Sequence, residues 1–432
     1  EGRNTMELEH NLDDKPKPAD LLIFGLQWLA VSIPAILVIG MVVGDLNGGS
    51  VVPYLQKLFL ITAIILIVQI YLGHKLPLVV GPASILLIGI MASLDAGFGA
   101  INASILIGGL ILAGIAALGL FRYLQRLFTP RVIVVVLILI AFSLAPVILN
   151  LAIDGGGMIS PTQAFSFAIV FALILFIANG LLKGVWRSTL ALWAIGFGSM
   201  AYVVIFGPVP LMSEGAPVLS APTGLIGPLS MPDIGVLAAF LICFLALAVN
   251  DLGSIESVGG MLKADDMEGR VKRGVTVTGL GNAVSGLTGV IGSVNFSLSP
   301  GVIAATRCAS RYALVPAGLV LIAISMSPFA LGYLGSIPGP VIGVVLAFVM
   351  ASQISAGLMM SHQNSAVKTF EDGMVVGVPL LIGVLVSFLP DAVASGFPAI
   401  IAPIITNGFV MGVLTVLILE HLVYRNGSKG RN

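Results

Sequence analysis

Long apolar stretches separated by short polar segments occupy nearly the whole chain. Fourteen of them approach the length of about twenty residues that crosses the hydrocarbon core of a bilayer. They cover residues 20–44, 54–73, 77–94, 97–121, 131–153, 163–182, 188–211, 233–260, 273–293, 294–311, 312–335, 339–361, 373–390 and 397–424. This pattern predicts an all-α membrane protein with 14 transmembrane segments.

The third and tenth stretches are interrupted in the same way. In each, extended backbone runs into a proline, Pro82 or Pro300, and a short helix is expected to follow, at 85–94 and 302–311. Interrupted segments at matching places in two halves are the sequence sign of a transporter's binding site. Seven segments in each half turn the second half upside down. The sequence therefore predicts a 7+7 inverted repeat, with half-helices in segments 3 and 10 preceded by short extended strands.

The two breaks also have a chemical consequence. Proline suits a first helical turn because it has no N–H to lose there. We therefore expect the N–H groups of Ala83, Ser84, Gly301 and Val302 to be free and to face the middle of the protein. Two such N-termini give partial positive charge on both sides of a site, which suits a carbonyl-rich planar ring or an anion. At Gly301 a ligand can touch the backbone.

Composition and charge agree with a membrane protein and orient it. The 432-residue chain is 58% hydrophobic and 9% charged with no net charge, so a nucleic-acid partner is not expected. With the N-terminus in the cytoplasm, every Lys and Arg except Lys57 falls in a cytoplasmic segment, where these residues are normally enriched. We expect a multi-pass protein of a bacterial-type cell membrane with both termini cytoplasmic.

The polar side chains inside the apolar stretches are the candidates for binding and coupling. They are Gln27 in segment 1 and Asn250, Asp251, Ser254 and Glu256 in segment 8. An acid near the membrane midplane is costly unless it is paired, hydrated or protonated. Asp251 is therefore the first candidate for carrying a coupled proton, and Glu256 is the second.

Both acids also have structural alternatives. Asp251 can be a partner for a Thr or Asn of a neighbouring helix, such as Thr276 or Asn282, and Glu256 can be solvated near the cytoplasmic end. His74 stands at the end of a predicted segment and is expected at the membrane interface.

The stretch from Asn250 to Arg307 carries a family resemblance. Its residues are Gly279-Leu280, Ser285-Gly286, Gly289 and Gly301-Val302-Ile303-Ala304-Ala305-Thr306-Arg307, with weaker support from Gly25-Leu26-Gln27 and from 398–420. They resemble the nucleobase/ascorbate transporter family, which includes the bacterial uracil and xanthine permeases. Its signature in segment 10 is Gln, Glu or Pro, then Asn, any residue, Gly, four residues, Thr, and then Arg, Lys or Gly. On this chain the signature falls on Leu298, Ser299, Pro300, Gly301, Thr306 and Arg307.

The departures from the family bear on the substrate. Family members usually have Glu at the position of Asn250, and Gln or Glu at that of Leu298, where they hold the polar edge of the nucleobase and contribute to proton coupling. Trp28 replaces a frequent His, and Ser299 replaces the signature Asn. Because two acceptor groups of the family's binding site are absent here, we expect the substrate to be a ring with fewer N–H donors, or an anion. The expected substrate-binding residues are Ala83, Ser84, Asn250, Asp251, Ser254, Leu298, Ser299, Gly301 and Gln27.

The resemblance also implies two domains. Residues 20–121 and 233–335, segments 1–4 and 8–11, would form a core domain that holds the substrate. Residues 122–232 and 336–424, segments 5–7 and 12–14, would form a gate domain that is the expected homodimer contact. Residues 1–19 and 425–432 would be cytoplasmic tails.

The expected function is secondary active transport. A proton, or Na⁺ in its place, would drive symport of a nucleobase-like heterocycle, a purine or a pyrimidine. The alternative is a transporter of carboxylate or sulfate-type anions on the same 7+7 fold, and a channel or membrane enzyme is the remaining class. No metal-ligand spacing and no nucleophile–base arrangement appears in the sequence, so we expect no enzyme activity, metal or cofactor.

Overall fold

The computed structural model describes residues 8–48, 51–120, 127–212, 215–296, 299–394, 396–398 and 401–424. Within these ranges, eight helical segments are long and apolar enough to cross a membrane, and a bent helix pair is a ninth candidate. Large apolar side chains such as Leu173 and Val204 are 60% and 75% exposed. Because such side chains are stable in contact with lipid, the protein is a multi-pass membrane protein.

The elements follow the predicted stretches in chain order. The first half contains α1 (Pro18–Leu46), α2 (Val51–Tyr71), β1 (Val80–Pro82), α3 (Ser84–Met91), α4 (Gly97–Ala117), α5 (Pro130–Ser143), α6 (Ala145–Ile153), α7 (Pro161–Leu181) and α8 (Leu190–Phe206). The second half contains α9 (Ile234–Leu262), α10 (Met267–Thr288), β2 (Ser293–Asn295), α11 (Ser299–Thr306), α12 (Leu314–Ser325), α13 (Pro328–Gly335), α14 (Gly339–Gln363), α15 (Phe370–Ser387) and α16 (Gly408–Ile418). Short helical turns lie at Leu94–Ala96, Gly184–Ser188, Arg311–Ala313, Asp391–Ala394, Ala402–Ile405 and Leu419–Val423.

Three predicted stretches are broken rather than continuous. The stretch 131–153 divides into α5 and α6 because Pro146, in the first turn of α6, has no N–H to continue α5. The stretch 312–335 bends by 93° where Pro328 begins α13. In the stretch 397–424, Asn407 caps a new helix, α16, by accepting a hydrogen bond from the Val410 N–H.

The two interrupted segments meet in a short antiparallel strand pair. β1 and β2 align Val80 with Asn295, Gly81 with Val294 and Pro82 with Ser293. Backbone hydrogen bonds continue the pairing at both ends, from the Ala83 N–H to the Gly292 oxygen and from the Phe296 N–H to the Val79 oxygen, each 2.8 Å. The pairing satisfies backbone groups that have no access to water within the membrane.

The helices after the strands have different bounds from those expected. α3 and α11 are eight residues each. Pro82 lies in β1 rather than in a first helical turn, and the Ala83 N–H is not free because the Gly292 oxygen accepts it. α11 begins at Ser299, three residues before the expected start, and ends before Arg307, whose φ of 55° is left-handed.

The glycine-rich stretch after α9 packs closely against α4. A Cβ added to Gly279 would lie 2.5 Å from the Ala113 nitrogen, and one added to Gly286 would lie 2.5 Å from the Asn102 oxygen. Small residues allow this approach of two helix backbones. These glycines therefore have a packing role and hold α10 close against α4.

The N-terminal segment is bound to the chain that follows α11. The Glu9 N–H donates to the Arg307 oxygen at 2.9 Å, and the Ala309 N–H donates to the His10 oxygen at 2.9 Å. Asp13 pairs with Arg311 at 2.7 Å. Part of the predicted tail 1–19 therefore lies against the C-terminal end of α11.

Three charged side chains join α5, α15 and the turn Leu419–Val423. Arg131 pairs with Asp372, and its Nε lies 3.0 Å from Glu420 Oε2. The Glu420 side chain is only 4% exposed. A carboxylate this buried depends on its cation for compensation of charge.

Replacing Arg131 with Met should therefore destabilise the protein by about 3 kcal/mol, because Glu420 would be left buried and unpaired. Thermal unfolding in detergent would measure this as a lower Tm. The double variant Arg131→Met, Glu420→Gln removes both charges and should recover most of the loss. If the double variant is no more stable than the single one, the pairing with Glu420 is not the cause.

Candidate functional site

A cavity of about 300 Å³ lies beside the strand pair, and we call it the central cavity. Its polar side is formed by Ser84 at the start of α3, Asn250 of α9 and Gln353 of α14, together with Ser352, whose hydroxyl donates to the Phe348 backbone oxygen at 3.1 Å. Apolar residues of α1 and α14 complete its walls, together with Phe296 and Gly301. An apolar cavity with a few convergent polar groups is typical of a small-molecule site.

The polar groups of the central cavity are available to a ligand. Within the described residues, the Asn250 amide, the Gln353 amide and the Ser84 hydroxyl form no hydrogen bond, while each of them lines the cavity. An amide side chain both donates and accepts hydrogen bonds. The site can therefore pair with a ligand edge on which N–H and C=O groups lie side by side.

Phe296 and Gly301 shape the cavity. The Phe296 ring packs over Gly81, where an added Cβ would lie 2.3 Å from Phe296 Cζ. Its ring lines the cavity, and aromatic rings favour stacked or edge-on contact with a planar ring. A Cβ added to Gly301 would meet nothing within 4 Å, so this position opens onto free space.

The structure brings some of the expected site residues together and leaves others apart. Ser84, Asn250 and Gly301 line the central cavity. Ala83, Asp251, Ser254 and Ser299 are buried and are not among its lining residues. Gln27 lies elsewhere on α1, and its Oε1 is buried with no hydrogen-bond partner among the described residues. Glu256 is exposed on α9, and Leu298 lies outside the described residues.

Two serines tie the site's elements together. The Ser254 hydroxyl donates to the backbone oxygens of Asn250 and Asn295, both at 2.9 Å. The Ser299 hydroxyl accepts from the Val79 N–H at 3.0 Å and donates to the Phe296 oxygen at 3.1 Å. These contacts fix α9 and α11 to the strand pair.

Asp251 is the centre of a buried hydrogen-bond network. Its Oδ1 accepts from the Asn295 N–H at 3.0 Å and from Asn295 Nδ2 at 2.7 Å. Its Oδ2 accepts from the Thr278 hydroxyl at 2.8 Å. Asp251 is therefore bonded to a Thr and an Asn, as its structural interpretation expected. The two residues are Thr278 and Asn295 instead of Thr276 and Asn282.

The network continues to His74. His74 is fully buried within the protein, and its place at the membrane interface stays a prediction. Its Nδ1 accepts from the Leu76 N–H at 2.9 Å, which assigns the proton to Nε2. Nε2 then donates to Asn295 Oδ1 at 3.1 Å, and Asn295 in turn donates to Asp251. A continuous chain of hydrogen bonds therefore joins the carboxylate to an imidazole.

Arg270 holds the loop that carries His74. Its Nη1 donates to the oxygens of His74 and Lys75 at 3.1 and 3.0 Å. Its Nη2 pairs with Asp265 at 2.6 Å, and this hydrogen bond holds the pKa of the exposed Asp265 carboxyl below its usual value. The cation is thus positioned at the end of the buried network.

Sequence reasoning identified neither the aromatic ring of the central cavity nor its second amide. Phe296 was part of the interrupted segment but carries no polar group that marks it. Gln353 stands inside the apolar stretch 339–361, and an amide in such a run was a usable signal.

The sequence was compared with known families and proteins. The model of a family described as a permease family matches residues 19–392. A relative from Clostridium perfringens is 28% identical over 69% of this chain and 65% of its own length. A uric acid transporter of Escherichia coli is 24% identical over 95% of this chain and 87% of its own. A nucleobase transporter of Paenibacillus larvae is 24% identical over 94% of this chain and 95% of its own.

Solved structures show a similar fold. The transmembrane domain of a cyanobacterial bicarbonate transporter superposes with a TM-score of 0.63 at 17% identity, over 85% of this chain and 95% of that one. Murine Solute Carrier 26 family member A9, an anion transporter, gives a TM-score of 0.59 at 14% identity, over 97% of this chain and 70% of that one. At these identities the likeness concerns the fold alone.

Proposed function

Since this chain belongs to the nucleobase/ascorbate transporter family, we propose that it is a secondary active transporter of a nucleobase-like heterocycle. One observation carries the proposal: the central cavity places the free amides of Asn250 and Gln353 beside the Phe296 ring. A purine or pyrimidine with oxo groups has the matching chemistry, a flat ring whose edge alternates N–H and C=O groups. The relatives named as uric acid and nucleobase transporters support the same substrate class.

The anion alternative finds less support in the site. The described residues that line the central cavity include neither Lys nor Arg. A compact anion such as sulfate or bicarbonate would be held there by neutral donors alone, the backbone N–H groups and the side chains of Ser84, Asn250 and Gln353. The similar solved structures of anion transporters bear on the fold, so the heterocycle remains the favoured substrate.

The proposed architecture is the 7+7 inverted repeat with 14 crossings and both termini cytoplasmic. The central cavity lies between α1, α3, α9 and α11, assigned to the core domain, and α14, assigned to the gate domain. This position suits a carrier whose substrate lies between two bodies that move relative to each other. Accessibility labelling that found residues 263–273 outside the cell would contradict this topology. The gate domain remains the proposed homodimer contact.

Coupling to a proton is assigned to Asp251. Its network supports the assignment, because three hydrogen bonds from Asn295 and Thr278 hold in place an acid whose charged form is costly inside the membrane. Glu256 is exposed and is the second candidate.

A ligand panel would test the substrate class. Uric acid, xanthine and uracil should raise the Tm of the purified protein, since a ligand at a hundred times its Kd stabilises by about 2.7 kcal/mol. Bicarbonate, sulfate and simple carboxylates should leave the Tm unchanged and should not compete for uptake into proteoliposomes. Stabilisation by one of these anions, with no response to any purine or pyrimidine, would favour the anion transporter instead.

A further inference from the structure

A second cavity of about 450 Å³ adjoins the central cavity, and we call it the lateral cavity. The two cavities share four lining residues, Ala35, Gly301, Val349 and Ser352. The rest of the lateral cavity is formed by residues of α1, α7, α8, α11 and α14 and by the turn Gly184–Ser188, which contributes Arg187. The two cavities therefore adjoin each other at Gly301, and Arg187 lines the second one.

Arg187 differs from most arginines of the described chain in its pairing. Arg131, Arg270, Arg273 and Arg311 each form an ion pair with a carboxylate. No carboxylate among the described residues pairs with Arg187, whose one hydrogen bond runs from Nε to Asn179 Oδ1 at 3.3 Å. A guanidinium has five N–H donors, so most of them remain available.

We propose that Arg187 determines specificity from the lateral cavity, where it binds the oxo groups or the negative charge of the passing substrate. This inference rests on the proposed function and narrows it to heterocycles that are anionic or rich in oxo groups. In the central cavity, neutral amides bind the edge of the ring. The lateral cavity supplies the positive charge of Arg187, which the central cavity lacks. A planar guanidinium suits such oxygens because its donors lie in one plane.

The test compares two purines that differ in charge. Urate is an anion at neutral pH, whereas hypoxanthine is neutral and has one oxo group. In proteoliposomes, Arg187→Gln should raise the KM for urate about tenfold, as expected for loss of hydrogen bonds to a charged partner, and should leave the KM for hypoxanthine within about twofold. Arg187→Lys should keep part of the urate preference, since it keeps the charge without the planar fork.

Lys183→Gln is the matched control. Lys183 precedes the same turn, is exposed and lines neither cavity, so its loss should leave both KM values unchanged. Added salt should raise the KM for urate in the wild type but not in Arg187→Gln. Repeating the measurement in detergent, as a Kd for urate, separates substrate from lipid phosphate, because a contact to lipid would disappear there.

The possible outcomes separate the two proposals. If the wild type carries both purines and Arg187→Gln alters both KM values equally, or neither, Arg187 does not select substrate. The same conclusion follows if the urate effect is seen only in liposomes containing anionic lipid. If the wild type carries a pyrimidine but no purine, the proposed function stands and this inference fails. If it binds and carries neither a purine nor a pyrimidine, the proposed function fails, and this inference fails with it.

Discussion

Gly301→Val should remove substrate binding while leaving the protein folded. Gly301 lines both the central and the lateral cavity, and a side chain at this position meets open space in place of neighbouring atoms. The two methyl groups would therefore occupy the volume that the ligand needs without disturbing the packing of α11. We expect the Kd to rise at least about a hundredfold, a loss of roughly 2.7 kcal/mol.

Gly196→Val is the matched control for this change. Gly196 lies in α8, is exposed, and also has nothing within 4 Å of an added Cβ, so it carries the same helix-propensity cost without facing either cavity. Ligand-induced Tm shifts and uptake by the two variants would be compared with the wild type. If Gly301→Val binds substrate normally, and a substitution in the gate domain far from the cavity abolishes binding, the site lies elsewhere.

Asp251→Asn should abolish accumulation of substrate against a gradient and spare exchange. The asparagine oxygen can still accept from Asn295, so the strand pair stays attached to α9, but the side chain can no longer take up and release a proton. Carriage of substrate down its own gradient needs no proton step, and it should continue.

Two transport assays separate these activities. Uptake driven by an inward proton gradient should be lost in Asp251→Asn. The rate of equilibrium exchange of labelled substrate should stay within about threefold of the wild type, which corresponds to a smaller free-energy change than a shift of one pKa unit. Glu256→Gln, on the exposed side of α9, should preserve both. If Asp251→Asn still concentrates substrate and Glu256→Gln does not, the proton is carried by Glu256. If both variants concentrate substrate, transport is not coupled to a proton at either acid.

Much of the fold is predictable because the bilayer imposes a length on each apolar run. The stretch 20–44 became α1 and the stretch 163–182 became α7, each within two residues at either end. The bounds of α11 were missed because its start depends on Ser299, whose hydroxyl bridges Val79 and Phe296. That contact joins residues more than 200 positions apart, and a local pattern does not contain it.

The site was predictable where a residue is unusual for its surroundings. Asn250 is an amide within an apolar run, and Gly301 follows a break, so both were identified. The hydrogen bond between His74 and Asn295 was not predictable, because a remote segment supplies Asn295. Asp251 was identified, but its partner on α10 was not, because successive positions of a helix face different directions and the sequence does not show which one faces α9.

The pairing of β1 with β2 limits how the protein can move. Pulling the two strands apart would leave the backbone groups of Ala83, Gly292, Val79 and Phe296 unpaired where no water can replace the lost bonds. α3 and α11 must then travel as one rigid body, and the spacing between their N-termini stays constant throughout a cycle. In the proposed carrier cycle, opening and closing of the central cavity then falls to the α14 wall, so we expect a disulfide linking β1 to β2 to permit turnover and one linking α14 to α1 to arrest it.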